Sequence, residues 1–235
     1  MTRTMQIVPV LDLKGGIVVH ARRGQRADYA PLSSPLVPGC EPVSVARALC
    51  AVCRTNRLYV ADLGALGGEP ADEATLSGLA SVAEIWVDAG ATTAQGAAVL
   101  QRAGAARNVV GTESLGPETA TADSLPSPPL VLSVDLRGGR LISPNPALDG
   151  REPADAAPLA RALAVSELLV IDLARVGSGS GPPLDAVAEL AAALPDIAIY
   201  AGGGVRNDED LRALESAGAA GALVATAVHE GRITP

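Results

Sequence analysis

A (β/α)8 barrel assembled from two duplicated half-barrels is the fold this chain predicts, on the strength of an internal repeat and a strict alternation of strand-like and helix-like segments. The repeat is direct. Val10-Leu11-Asp12-Leu13-Lys14-Gly15-Gly16 returns as Val134-Asp135-Leu136-Arg137-Gly138-Gly139, and Leu58-Tyr59-Val60-Ala61-Asp62-Leu63 returns as Leu169-Val170-Ile171-Asp172-Leu173. Ala103-Gly104-Ala105 through Gly111-Thr112 matches Ala217-Gly218-Ala219 through Ala225-Thr226 at a constant offset of 114 residues. Each half alone would expose an open parallel edge, so two halves imply one closed body. The chain, at 235 residues, matches the roughly 250 of a single barrel and is read as one domain, with halves at about 1–115 and 130–235.

Taken in order, the apolar runs at 5–11, 57–61, 84–87, 108–110, 130–134, 167–171, 197–201 and 222–224 read as eight strands. Between most of them lie segments with apolar residues at helical spacing: 43–55, 94–103, 154–163, 184–194 and 208–216, with Asn207 placed to cap the last. Such alternation predicts a parallel sheet. Three segments break it. Residues 21–42, rich in Arg, Pro and Ser, form an excursion after the first strand that is expected to cover the active face. Residues 116–129 carry four prolines where a fourth helix belongs, which predicts a short or missing helix and a seam between halves. After the eighth strand only 229–235 remain, too few for a full helix.

Composition narrows the function. Aromatics are 2% and Phe is absent, so the core is expected to be filled by Ala, Val, Leu and Ile. A net charge of −8 argues against a nucleic-acid surface and means that an anionic ligand must be held by local geometry. Three cysteines, Cys40, Cys50 and Cys53, make no disulfide framework, and Cys50 and Cys53 read as helix packing rather than a metal pair. No apolar stretch approaches the roughly 20 residues of a membrane span, and no signal peptide is seen, so the expected location is cytoplasmic. Neither a metal nor a cofactor is expected.

Asp12 and Asp135 are the catalytic candidates. Two carboxylates at equivalent strand ends of one barrel mouth can stand on either side of a bound molecule, one giving and one taking a proton. Gly202-Gly203-Gly204-Val205-Arg206 follows the seventh strand and leads into a helix, and barrels commonly bind phosphate after strands seven and eight. Gly203 and Gly204, joined by Ala225 and Thr226, are therefore the expected phosphate grip. The matching first-half stretches, Asp88-Ala89-Gly90-Ala91-Thr92 and Gly111-Thr112, predict a weaker second grip at Gly90, Gly111 and Thr112, because Asp88 adds negative charge. Arg175 and Gly177, in a loop of glycines and serines after strand six, are expected to close over the substrate, and His20 to make a polar contact near the mouth. Asp62 and Asp172 are symmetry partners read first as acceptors for loop amides.

Nearly the whole chain resembles the isomerase and cyclase pair of histidine biosynthesis, through Pro9-Val10-Leu11-Asp12-Leu13-Lys14-Gly15-Gly16, Val134-Asp135, Gly202-Gly203-Gly204-Val205-Arg206 and the duplication itself. These are half-barrel-duplicated enzymes acting on a substrate with a phosphate at each end. The resemblance implies that Asp12 and Asp135 act as base and acid in an Amadori rearrangement, opening an aminoaldose ring to give an aminoketose. Four positions depart from the pattern: Asp88 in the first glycine triplet, Ala225 for a glycine, Val176 for an acid and His20 for an arginine. That combination is similar to a divergent branch associated with organisms that use methanopterin-type one-carbon cofactors. The expected activity is thus aldose–ketose isomerisation of a small phosphorylated metabolite. Two rivals stand beside it: an isomerase, lyase or synthase of one-carbon cofactor biosynthesis acting on a smaller monophosphate, and a non-catalytic phosphate-binding subunit.

Overall fold

The computed structural model describes residues 5–117 and 129–233. In chain order the strands are β1 (Gln6–Lys14), β2 (Ile17–His20), β3 (Ala30–Pro31), β4 (Arg57–Asp62), β5 (Glu84–Asp88), β6 (Arg107–Gly111), β7 (Leu130–Arg137), β8 (Arg140–Leu141), β9 (Glu167–Asp172), β10 (Ala198–Gly202) and β11 (Gly221–Val224). Eight of them form the parallel ring β1-β4-β5-β6-β7-β9-β10-β11, which closes where β11 pairs β1 in register from Gln6 opposite Gly221 to Pro9 opposite Val224. Closure leaves no free edge among these eight. β1 and β7 are four strands apart around the ring and so stand on opposite sides of the mouth.

The helices α1 (Pro42–Cys53), α2 (Leu63–Leu66), α3 (Glu73–Ala80), α4 (Ala94–Arg102), α5 (Ala157–Ala162), α6 (Leu184–Ala193), α7 (Asp208–Ser216) and α8 (Thr226–His229) follow the strands. Side-chain oxygens cap four of the longer ones: Glu41 at α1, Asp72 at α3, Thr93 at α4 and, as expected, Asn207 at α7. α2 and α3 escape a reading of apolar spacing because α2 is one turn long and α3 buries only Leu76 and Leu79 among small and polar residues. The helix expected over 154–163 divides into a 3-10 turn, Pro153–Ala156, and α5. Pro153 and Pro158 lack the amide donor a continuous α-helix needs. Most of the expected proline-rich seam, 118–128, lies outside the described residues.

Two hairpins extend the barrel. β1 turns back into β2 through Gly15 and Gly16 (φ +60° and +77°), and β7 into β8 through Gly138 and Gly139 (φ +62° and +81°). A two-residue turn with both φ positive matches strand twist and favours glycine. The glycine pair of the repeated motif is therefore a hairpin turn, and the first and fifth barrel strands run to Lys14 and Arg137, three residues past the expected ends. Asp172, fully buried, fastens the second hairpin by accepting the amides of Gly138 and Gly139, each at 3.1 Å. Asp62 likewise accepts the amide of Asp72 in the loop before α3, and it caps α2 by accepting the Ala65 amide.

Strand residues alternate between two cores. Outward-facing Val60, Ile85, Val110, Leu132, Val170 and Ile199 pack with the helices. Inward-facing Val8, Tyr59, Trp86, Val109, Val131, Leu169, Tyr200 and Leu223 fill the barrel. The expectation of a purely aliphatic core is corrected here, since three of the chain's four aromatics are inside the ring. Trp86 and Tyr200 meet edge to face at 5.1 Å, and the Arg57 guanidinium lies 4.5 Å from the Trp86 ring centre while donating to the Tyr200 hydroxyl at 3.1 Å. An eight-stranded interior needs large side chains to exclude voids.

Candidate active site

A cavity of about 290 Å³ opens at the C-terminal mouth, lined among others by Asp12, Asp88, Asp135, Arg26, Glu113, His20, Gly203, Gly204, Ala225 and Thr226. Asp12 lies in β1 opposite Ala61 of β4, and Asp135 in β7 opposite Ile171 of β9, so both acids reach one cavity from facing strands. Their surroundings differ. No described residue donates a hydrogen bond to the half-buried Asp12 carboxylate, and burial pushes its pKa up from 3.8 to about 7, partly offset by the Arg26 cation. Asp135 is buried, and both of its carboxylate oxygens are held: Ser133 Oγ donates to Oδ1 at 2.6 Å and the Glu113 amide to Oδ2 at 3.2 Å. Burial, then the nearby charges of Glu113 and Asp88, raise its pKa well above the ordinary range.

Two residues expected to bind phosphate stand behind Asp135. The Asp135 amide donates to Thr112 Oγ1 at 2.9 Å, and Thr112 is fully buried. A side chain at Gly111 would place its Cβ 2.4 Å from Asp135 Oδ2, so glycine there clears room for the carboxylate. Neither lines the cavity, nor do Gly90 and Arg175. Gly90 gives its amide to Asp88 Oδ1 at 3.3 Å. Arg175 is tied to its own loop, donating to Asp172 Oδ2 at 3.3 Å and to the Gly181 carbonyl at 3.0 Å. Gly177 does line the cavity and leaves no room for a Cβ, which would come within 2.5 Å of the Ala21 carbonyl.

Across the mouth, Gly203 and Gly204 have φ of +92° and +85°, and a Cβ on either would stand 2.6 Å from the Asp172 carbonyl or 2.4 Å from the Gly181 carbonyl. Only glycine fits this turn. The amides of Gly203, Gly204 and Ala225 donate to no described residue and are available to an anion. The helix that follows does not assist them: α7 begins at Asp208, its first turn holds Asp208, Glu209 and Asp210, and Asp210 accepts the Arg206 amide at 2.8 Å. His20 Nε2 lies 3.1 Å from Thr226 Oγ1, and His229 Nδ1 2.9 Å from Ser34 Oγ. Burial lowers both imidazole pKa values; Arg22 lowers that of His20 further, against Glu230, and His20 lowers that of His229.

Several site residues carried no signal in the sequence. The excursion at 21–42 spans the mouth, where the Arg23 amide donates to the Val176 carbonyl at 2.8 Å and Arg26 pairs with Glu113 at 2.5 Å. Tyr59 donates its hydroxyl to Asp88 Oδ2 at 3.1 Å. Burial and the Glu113 charge push Asp88 up to about 6, against the bonds from Gly90 and Tyr59 and the Arg26 charge. Among the described residues, no group of three or more His, Cys, Asp and Glu is disposed to hold a metal ion, and no helix is long and apolar enough to cross a membrane.

Facing aspartates across a duplicated barrel have relatives. The histidine biosynthesis protein family matches residues 6–234. The chain belongs to that family. Within the histidine biosynthesis family it is 35% identical over 237 residues to the 1-(5-phosphoribosyl)-5-((5-phosphoribosylamino)methylideneamino) imidazole-4-carboxamide isomerase of Rubrobacter xylanophilus, covering 97% of this chain and 93% of that one. The isomerase of the same name from Acidithiobacillus ferrooxidans is 29% identical, at 97% and 96% coverage. An uncharacterized protein of Methanocaldococcus jannaschii is also 29% identical, at 97% and 94% coverage.

Proposed function

We propose that this protein is an isomerase that moves protons between Asp12, Asp135 and a phosphorylated sugar-like metabolite. One observation carries the reading: two carboxylates in unlike surroundings enter a single cavity from opposite strands, β1 and β7. Environments that separate two carboxyl groups also divide their work. Asp135, held well above the ordinary range by burial and by the nearby charges of Glu113 and Asp88, favours its protonated form more than a free carboxyl does and serves as the acid; Asp12, at about 7, cycles between its forms near neutral pH and serves as the base. On an aminoaldose, Asp135 gives its proton to the ring oxygen as the ring opens. Asp12 takes the proton from the carbon beside the resulting iminium to give an enaminol; Asp12 then returns that proton to the former C1 as the enol hydroxyl gives its proton back to Asp135, which yields the aminoketose and restores both acids. The free amides of Gly203, Gly204 and Ala225, with the Thr226 hydroxyl, hold the phosphate. The relatives named as isomerases support this class of reaction.

Turnover of phosphorylated aminoaldoses to aminoketoses tests the proposal. Asp12→Asn and Asp135→Asn should each lower kcat by about 10²- to 10⁴-fold, the usual cost of a lost acid or base, with much smaller changes in KM. Full activity in both variants, or binding without conversion by the unaltered protein, would show a phosphate-binding protein instead.

A further inference from the structure

The two ends of the cavity treat an anion differently. At the β10 and β11 end, the amides of Gly203, Gly204 and Ala225 are unspent. At the β5 and β6 end, the chain's own carboxylates take two nearby amides: Asp88 Oδ1 that of Gly90, the counterpart of Gly204, and Asp135 Oδ2 that of Glu113. The cation that reaches this end, Arg26, is committed to Glu113 at 2.5 Å. Asp88 itself is 3% exposed, lines the cavity and accepts the Tyr59 hydroxyl, which fixes the carboxylate in place. A phosphate brought there would meet the negative charges of Asp88 and Glu113 in a partly desolvated pocket, where repulsion between like charges is stronger than in water. The names of the isomerase relatives carry two phosphoribosyl groups.

We infer that Asp88 is a specificity-determining residue that rejects a second phosphate, so that this protein acts on a substrate phosphorylated at one end and uncharged at the other. The inference rests on the phosphate grip proposed above and adds the chemistry of the opposite end. Asp88 forms its own barrier through both the charge it presents and the amide it occupies. Removing the charge alone therefore restores part of the second subsite, and removing the side chain also frees the Gly90 amide.

Calorimetric titration at pH 7.5 with inorganic phosphate, ribose 5-phosphate and ribose 1,5-bisphosphate tests it. The unaltered protein should bind the bisphosphate no more tightly than the monophosphate. In Asp88→Asn, which keeps an acceptor for Tyr59, the ratio of bisphosphate to monophosphate affinity should rise by about tenfold as one like-charge contact is lost, and in Asp88→Gly by more. If Asp88→Gly fails to fold, Asp88→Asn decides alone. A bisphosphate preference of tenfold or more in the unaltered protein, or a ratio unmoved by Asp88→Asn, overturns the inference and leaves the proposed function standing. Failure of all three probes to bind, with Gly203→Ala no different, removes the phosphate grip and the inference together.

Discussion

Asp12→Asn should make the protein more stable and nearly inactive, and the stability gain should depend on pH in a defined direction. Burial raises the Asp12 pKa in the folded state from 3.8 to about 7, so the folded protein binds more protons than the unfolded chain between those values. Stability therefore falls as pH rises from about 4 to about 7 and levels off above, because ionised Asp12 is less welcome in the fold than in water. At roughly 1.36 kcal/mol for each pH unit, the displacement sets a ceiling of about 4 kcal/mol. The carboxylate is half-buried and keeps some contact with solvent, which reduces the realistic cost to about 2 kcal/mol. Asparagine is neutral throughout and lacks this slope. Asp88 and Asp135 contribute slopes of the same sign to both proteins and cancel in the difference. Urea unfolding at pH 5 and pH 8 should then show the variant gaining about 2 kcal/mol at pH 8 and much less at pH 5, the pattern of a site that holds a charge for its chemistry at the expense of stability. A gain identical at both values, or a loss at pH 8, would refute the account of Asp12 as a carboxylate raised by burial.

Two further substitutions separate the supports of the acid pair. Gly111→Ala places a methyl 2.4 Å from Asp135 Oδ2 at a φ of −83° that alanine adopts freely, so the fold should persist by circular dichroism. Turnover should fall by about 10- to 100-fold as the carboxylate is displaced, and unchanged turnover would show that its position is not critical. Arg26→Gln removes the cation that favours ionised Asp12, so the acidic limb of the kcat/KM profile should move to higher pH. A limb that stays in place would detach Arg26 from the base.

The sequence and the structure speak to different parts of the site. Asp12 and Asp135 were legible because duplication prints the same motif twice, and a carboxylate ending two equivalent apolar runs stands out against Val, Leu and Ile. The glycines after β10 were legible as a run of three, and side chains are excluded there by the carbonyls of Asp172, at the end of β9, and of Gly181, in the loop that follows it. Gly111 and Thr112 repeat residues on the phosphate side in sequence, yet they serve Asp135. Sequence equivalence does not distinguish a glycine that admits a ligand from one that admits a neighbouring side chain. Arg26, Tyr59 and Glu113 had no pattern to betray them, because each acquires its role only from a residue 22 or more positions away.

What the sequence determined by itself is the closed ring: period-two burial, the alternation of strands with helices and the need to cover two parallel edges follow from local pattern and hydrophobic burial. The tertiary structure alone decided the electrostatics of the mouth. Where the 21–42 excursion crosses to reach Glu113 and Val176, which amides remain free at Gly203 and Gly204, and how far burial lifts Asp12 and Asp135 all depend on groups brought together from distant strands. A carboxylate's pKa is set by the solvent it loses and the charges it meets, and neither exists until the barrel closes.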